Sequence, residues 1–393
     1  MHGFEYFVPT EIVFGAGSTE KLPELLKKRG LSRVLVVYGG SSAKKSGLLD
    51  RVFRLLDEAG VQYRALGGVQ PNPRAALARE GVQLALESGA ELILAVGGGS
   101  VIDTCKAIAH GAANPGTDIW EFWKRRAPLT KSMPVGVVLT IPAAGSETSD
   151  SAVLTNAEAG EKRGLNTPFN RPAAILDPLL AATLPVHQVA CGVSDILMHT
   201  LDRYFNPVTD NALTDELAEA LLRVVLEYGP AAVRDAHDET AMSEIMWAGS
   251  LSHNGLTGLG GRKDFATHQL GHALSEKFDV YHGDSLTAVW SSWARSVTDA
   301  DPARFARFAR NVWHVDEADD TAAALAGIAK QEAFFQSIGM PVRLSELSCG
   351  KQDEAGLADL ASRCSYGKTR TIGTFRVLDY ESILAIYRRA NEA

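Results

Sequence analysis

The chain has 393 residues, of which 46% are hydrophobic, 7% aromatic and 22% charged; this is an ordinary globular make-up, and it exceeds what one hydrophobic core usually serves, so two domains are expected. A net charge of −8 with no long block of like charge gives no electrostatic support for a nucleic-acid or membrane-surface role. No apolar run approaches the ~20 residues of a membrane span. The opening MHGFEYFVPTEIVFG lacks the basic and apolar regions of a signal peptide, and Cys105, Cys191, Cys349 and Cys364 form no CxxC, so a cytoplasmic protein with free thiols is expected.

Taken in chain order, the first half alternates. Strand-like runs are expected at 6–14, 33–38, 92–96 and 135–141, with shorter candidates at 150–155 and 173–176, and helical patterns fall at 18–29, 46–59 and 74–88. Continuously apolar strands alternating with helices predict a parallel sheet covered on both faces. After Pro185 helical segments dominate: 187–204, 212–227, 240–256, 264–276, 285–298, 302–312, 320–337 and 353–363. The expected fold is therefore an α/β N-terminal domain over 1–184 and an all-α C-terminal domain over 185–393.

Two glycine turns stand out. In LILAVGGGS a strand ends in Gly97, Gly98 and Gly99, and Ser100 is placed to cap the following helix. Close backbone approach and a helix N-terminus suit a pyrophosphate. The second turn, Gly39-Gly40-Ser41-Ser42, leads into Lys44 and Lys45 with no acidic residue for a ribose 2′-hydroxyl. Small residues and lysines favour NADP(H) over NAD(H). Gly15-Ala16-Gly17 is no fingerprint, because Glu20 stands where a third glycine belongs. Thr140, near the end of the strand 135–141, and Gly145, Ser146, Glu147, Thr148 and Ser149 beyond it make a small, polar candidate binding loop.

Three of the ten histidines crowd into RKDFATHQLGHALSEKFDVYHGD: His268 and His272, four apart on one helix face, and His282 ten residues on. Asp195 and His199 are also four apart, and Asp195 sits among Val193, Ile196, Leu197 and Met198, where an unpaired charge is costly and a metal ion offsets the cost. A carboxylate with imidazoles suits Fe²⁺ or Zn²⁺. Spacing leaves open which four of the five residues bind. Trp120, Trp123, Trp247, Trp290 and Trp293 are read mainly as core, with a substrate-pocket role the alternative.

With these motifs in hand, the chain resembles the iron-containing (group III) alcohol dehydrogenases, and most the butanol dehydrogenase and NADPH-dependent aldehyde reductase branch. The resemblance is carried by GGVQPNP (67–73), AVGGGSVIDTCKAIA (95–109), LTIPAAGSETSDSAV (139–153), AILDP (174–178), GVSDILMHTLDRYF (192–205) and His268-x3-His272-x9-His282. It implies a dehydroquinate synthase-like architecture, with a dinucleotide-binding domain followed by a metal-binding domain. It implies Asp195, His199, His268 and His282 as ligands of one divalent metal. Gly97 to Ser100 would hold the pyrophosphate, Thr140 and Ser149 the nucleotide, and Asn72 and Asp103 the nicotinamide or substrate; Lys162 joins the cofactor contacts. His272 and Asp103 are the candidate catalytic residues. Family members that use NAD tend to carry Asp where Gly39 stands. Tyr281 departs from the proline common before the last ligand, and Arg262 and Lys263 add charge ahead of the ligand helix.

The function expected is metal-dependent hydride transfer between NADP(H) and a small alcohol/aldehyde pair, by a homodimer that pairs through the N-terminal strand. The rivals are a glycerol dehydrogenase- or dehydroquinate synthase-like metalloenzyme and a catalytically silent nucleotide-binding protein. A dehydroquinate synthase needs a Glu ligand and several basic residues for a phosphorylated substrate, which the sequence does not offer.

Overall fold

A computed structural model describes residues 2–40 and 42–392 and divides into two compact units. The first spans Phe7–Leu184 together with Ala236–Ser250. Its elements are β1 (Ile12–Phe14), α1 (Leu22–Lys28), β2 (Arg33–Tyr38), α2 (Ser42–Lys45), α3 (Leu48–Glu58), β3 (Gln62–Leu66), α4 (Ala75–Ser88), β4 (Leu92–Gly97), α5 (Gly99–Ala113), α6 (Ile119–Trp123), β5 (Val135–Leu139), β6 (Ser151–Asn156), β7 (Glu161–Asn166) and β8 (Ala173–Leu176). Six of the strands form a parallel sheet in the order β1-β8-β5-β4-β2-β3, with Val36 opposite Leu94 and Val96 opposite Val138. β4 and β5 are buried along their whole length, as strands covered on both faces must be. Val34, Val36, Leu94 and Val96 pack on Val52, Leu55 and Leu56 of α3.

Several expectations change. The strand expected over 6–14 shrinks to β1, and β3, whose QYRAL residues are mostly exposed, has no counterpart among the expected strands. Ser100 does not cap α5: Gly98 holds the N-cap position, and Ser100 lies in the first turn, where its carbonyl accepts the Thr104 hydroxyl at 2.8 Å. β6 and β7 stand apart as an antiparallel pair.

The second unit comprises the N-terminal stretch up to Tyr6, Pro185–Asp235 and Leu251–Ala393. The helices that follow β8 are α7 (Val186–Tyr204), α8 (Ala212–Arg234), α9 (Glu239–His253), α10 (Ala266–Phe278), α11 (His282–Val297), α12 (Pro302–Trp313), α13 (Asp320–Ser337), α14 (Glu354–Cys364) and α15 (Tyr380–Asn391). Most of α9, expected within the helical domain, belongs instead to the sheet unit, where Trp247 meets Phe14 edge-on and Ser250 donates to Glu147 at 2.6 Å. α8 runs past Pro230 to Arg234, beyond the expected end at 227. The helical core is aromatic: Phe205, Trp293, Phe305 and Phe308 are fully buried, and the Phe205 ring contacts the other three. Trp120, Trp123, Trp290 and Trp293 are core residues, whereas Trp247 is 41% exposed. All four cysteines are free, and no helix among the described residues is long and apolar enough to cross a membrane.

Candidate metal centre and nucleotide loops

In the helical unit, α7 places Asp195, His199 and Asp202 on one face, at successive spacings of four and three residues. α10 supplies His268 and His272, and α11 opens on His282. Asp195 Oδ1 lies 3.4 Å from His199 Nδ1, 3.8 Å from His268 Nε2 and 3.7 Å from His282 Nε2. These are not hydrogen bonds. They are close to the ~3.4 Å edge of a tetrahedron built from ~2.1 Å metal bonds. The donor atoms of Asp195, His268 and His282 all lie within 4.8 Å of one another, with His199 against Asp195.

The burial of these atoms gives the arrangement its meaning. Asp195 Oδ1, His199 Nδ1 and His268 Nε2 are buried and have no hydrogen-bond partner. Leaving them so costs free energy that a shared cation would offset. Burial, and then the neighbouring His253, His268 and Arg203, hold the His199 pKa well below its ordinary value, so the ring is neutral and offers a lone pair. Burial opposes the charged form of His268, but the Asp195 and Asp202 carboxylates outweigh it and raise its pKa.

Asp202 is a residue that sequence reasoning misses. It is fully buried, and its Oδ2 accepts from His268 Nδ1 at 2.5 Å. That bond fixes the tautomer, leaving the Nε2 lone pair toward Asp195. Asp264 is missed in the same way. It accepts from the backbone N–H groups of Ala266, Thr374 and Phe375 and so anchors the start of α10. Burial and the Asp202 charge raise its pKa to about 6. The signal that could have found Asp202 is the cost of burying its charge among the apolar residues of α7. The half-exposed His272 lies beside His268 and His282, with ring centroids 6.3 and 5.5 Å away.

In the sheet unit the candidate cofactor residues gather at the carboxyl ends of neighbouring strands, the usual ligand edge of such sheets. Gly39 and Gly40 follow β2, Asn72 follows β3, Gly97 to Ser100 end β4 and open α5, and Thr140 and Ser149 follow β5. Thr140 N–H donates to the Gly97 carbonyl at 3.2 Å, linking two of these loops. A Cβ on Gly97 would sit 2.5 Å from the Val101 side chain, so the tight strand-to-helix turn requires glycine. Lys162, on β7, donates to Asn72 Oδ1 at 2.8 Å across ninety residues of sequence. Ser149 Oγ bonds the backbone of Ser151. Ser42 opens α2, and Lys44 lies over the Tyr38 ring; Ser41 falls outside the described residues.

Asp103 accepts from Ser146 Oγ at 2.5 Å and from Val153 N–H at 2.8 Å. Burial raises its pKa, against the opposing pull of Lys106. Its oxygens thus hold the loop after β5 in place. Lys106, another residue that carries no signal in the sequence, is fully buried and donates to the Ser146 carbonyl and hydroxyl and to the Ser151 carbonyl at 2.7–2.8 Å.

Comparison with known proteins finds matches along most of the chain. The family described as iron-containing alcohol dehydrogenase matches residues 9–178, and the Fe-containing alcohol dehydrogenase family, C-terminal, matches 188–391. The chain is 37% identical to NADH-dependent butanol dehydrogenase A of Clostridium acetobutylicum over 99% of this chain and 100% of that one. It is 36% identical to the NADPH-dependent aldehyde reductase YqhD of Escherichia coli, over 88% and 89%. Among solved structures, NADH-dependent butanol dehydrogenase A of Thermotoga maritima superposes with a TM-score of 0.95 at 31% identity, covering 100% of this chain and 99% of that one.

Proposed function

The chain belongs to the iron-containing alcohol dehydrogenase family, and we propose that this oxidoreductase reduces small aldehydes to alcohols with NADPH. The observation that carries the reading is the meeting of Asp195 Oδ1 with three imidazole nitrogens, where the buried donor atoms of Asp195, His199 and His268 lack hydrogen-bond partners. Asp195, His199, His268 and His282 fit a divalent ion, Fe²⁺ or Zn²⁺. Such an ion would supply a Lewis acid for the carbonyl oxygen, and a bound reduced nicotinamide would supply the hydride for its carbon.

The chain's own residues do the rest. Asp202 orients His268, and Asp264 seats the helix that carries it. His272 is assigned to pass the proton between the product oxygen and solvent. Gly97, Gly98, Gly99 and Ser100 receive the pyrophosphate at the start of α5. Thr140 and Ser149 border the nucleotide, and the Asn72–Lys162 pair serves the nicotinamide side. Asp103 positions the adjoining loop.

Preference for NADP(H) is supported by Gly39, which offers no carboxylate to a ribose, and by exposed Lys44 and Lys45 on the short helix α2 that follows. Relatives of both kinds exist: the butanol dehydrogenases are named for NADH and YqhD for NADPH. The reading includes a cytoplasmic setting and a homodimer, the latter supported by β1 at the sheet's outer edge with Phe14 41% exposed. The test follows reduced-nicotinamide absorbance with short aliphatic aldehydes in metal-replete enzyme. Faster consumption of NADPH than NADH is expected. Equal or faster NADH use would overturn the cofactor assignment, and no consumption with either would overturn the reductase itself.

A further inference from the structure

We propose a second metal site in the helical unit, built from His187, Cys191 and Asp284 and suited to Zn²⁺ or another ion of similar softness. His187 and Cys191 are four apart on α7 and share a face; Asp284 lies in the first turn of α11. Gly283 lets the two helices meet there, because a Cβ on it would fall 2.7 Å from Cys191 Cα. The result is a compact triad: His187 Nε2 is 3.1 Å from Asp284 Oδ2, and Cys191 Sγ is 3.6 Å from His187 Nε2 and 3.7 Å from Asp284 Oδ1. A tetrahedral ion with bonds of ~2.0 Å to nitrogen, ~2.1 Å to oxygen and ~2.3 Å to sulfur needs donor separations of ~3.3 Å for N–O and ~3.6 Å for pairs with sulfur. The His187–Cys191 spacing matches, and because Asp284 meets His187 through Oδ2 and Cys191 through Oδ1, its carboxylate turns to present one oxygen as donor, with one donor atom from each residue already within 4.8 Å of the others.

The setting also favours a cation. His187 and Asp284 line a cavity of about 560 Å³ whose described wall residues include three carboxylates (Asp279, Asp284 and Glu346) and no lysine or arginine. Three protein donors leave the fourth position to water or a small anion from that cavity, the open arrangement of a zinc site that exchanges ligands. Without an ion the groups hold one another by hydrogen bonds. On binding, Cys191 coordinates as thiolate and its proton passes to solvent. The site is separate from the first centre but shares its scaffold: Cys191 is one helical turn before Asp195, and Asp284 is two residues after His282.

The donors at the first centre contain no sulfur, so Co²⁺ separates the two sites. Holoenzyme carrying its first metal is titrated with Co²⁺, and the near-ultraviolet thiolate-to-cobalt charge-transfer band is followed together with bound metal after ultrafiltration. The band should saturate at about one added equivalent. Cys191→Ser should abolish it and remove that equivalent alone. His187→Ala, at a side chain 44% exposed, should weaken Co²⁺ binding by more than ~10-fold, and it decides the question if the serine variant does not fold. Absence of the band, its survival in Cys191→Ser, or unchanged Co²⁺ affinity in His187→Ala would overturn the assignment.

Discussion

Replacing Asp202 by Asn tests whether the first centre is organised from beneath its ligands. Asp202 Oδ2 accepts a hydrogen bond from His268 Nδ1–H at 2.5 Å within a fully buried pocket, and its charge helps raise the His268 pKa. A carboxamide keeps the volume but removes the charge. Bonds to a charged acceptor are roughly twice as strong as neutral ones, so the loss is about 1–2 kcal/mol. The amide can also turn its NH₂ toward Nδ1, which moves the ring proton to Nε2 and removes the lone pair a metal needs. Metal affinity should therefore fall by ~5- to 30-fold. Competition against a chromophoric chelator measures this, with urea unfolding of the metal-free forms run in parallel to separate affinity from stability. A metal affinity within about twofold of the parent would refute the orienting role of Asp202.

Other outcomes follow from the same structure. In Gly39→Asp the new Cβ meets the Val69 carbonyl at 3.6 Å and Val101 Cγ2 at 3.9 Å, ordinary contacts, so a β-carbon is accommodated there; the NADPH-to-NADH ratio of kcat/KM should fall by at least ~10-fold in initial-rate assays. Gly283→Ala forces a methyl against the Cys191 backbone at 2.7–2.9 Å and should cost about 1–3 kcal/mol, seen as a lower Tm, while displacing His282 and loosening bound metal in a chelator assay. His110 is buried between Ser132 and Asn170, and burial lowers its pKa from 6.5 to about 4. The unfolded chain therefore binds the extra proton first, and stability present above 6.5 is lost as pH falls toward 4. Urea unfolding should show about 2 kcal/mol of this loss at about pH 5, and His110→Gln should remove it.

What can be read from the sequence follows from where physical signals are local. Leu92–Val96 and Val135–Leu139 declare themselves because a strand covered on both faces must be apolar throughout. Asp195 is visible because a carboxylate among Val193, Ile196 and Leu197 demands a partner. The gathering of His282 beside Asp195 is implied by the family resemblance, because helical spacing relates residues within one helix and these two lie on α7 and α11. β3 escapes because an edge strand needs no apolar run; its Gln62, Arg64 and Ala65 are exposed. Asp202 and the Asp103–Ser146 bond escape because each is a contact between distant segments. Pro230 suggests a helix end, but α8 continues through it. The attachment of Ala236–Ser250 to the sheet unit depends on Trp247 and Ser250 meeting residues more than a hundred positions earlier.

The central claim is that Asp195, His199, His268 and His282 hold one divalent ion on which aldehyde reduction depends. Asp195→Ala probes it most directly, with metal content and NADPH-linked reduction of a short aldehyde measured on the same preparation. Loss of the first metal and of turnover together is the predicted result. A variant that reduces the aldehyde at the parental rate with that metal gone would contradict the account.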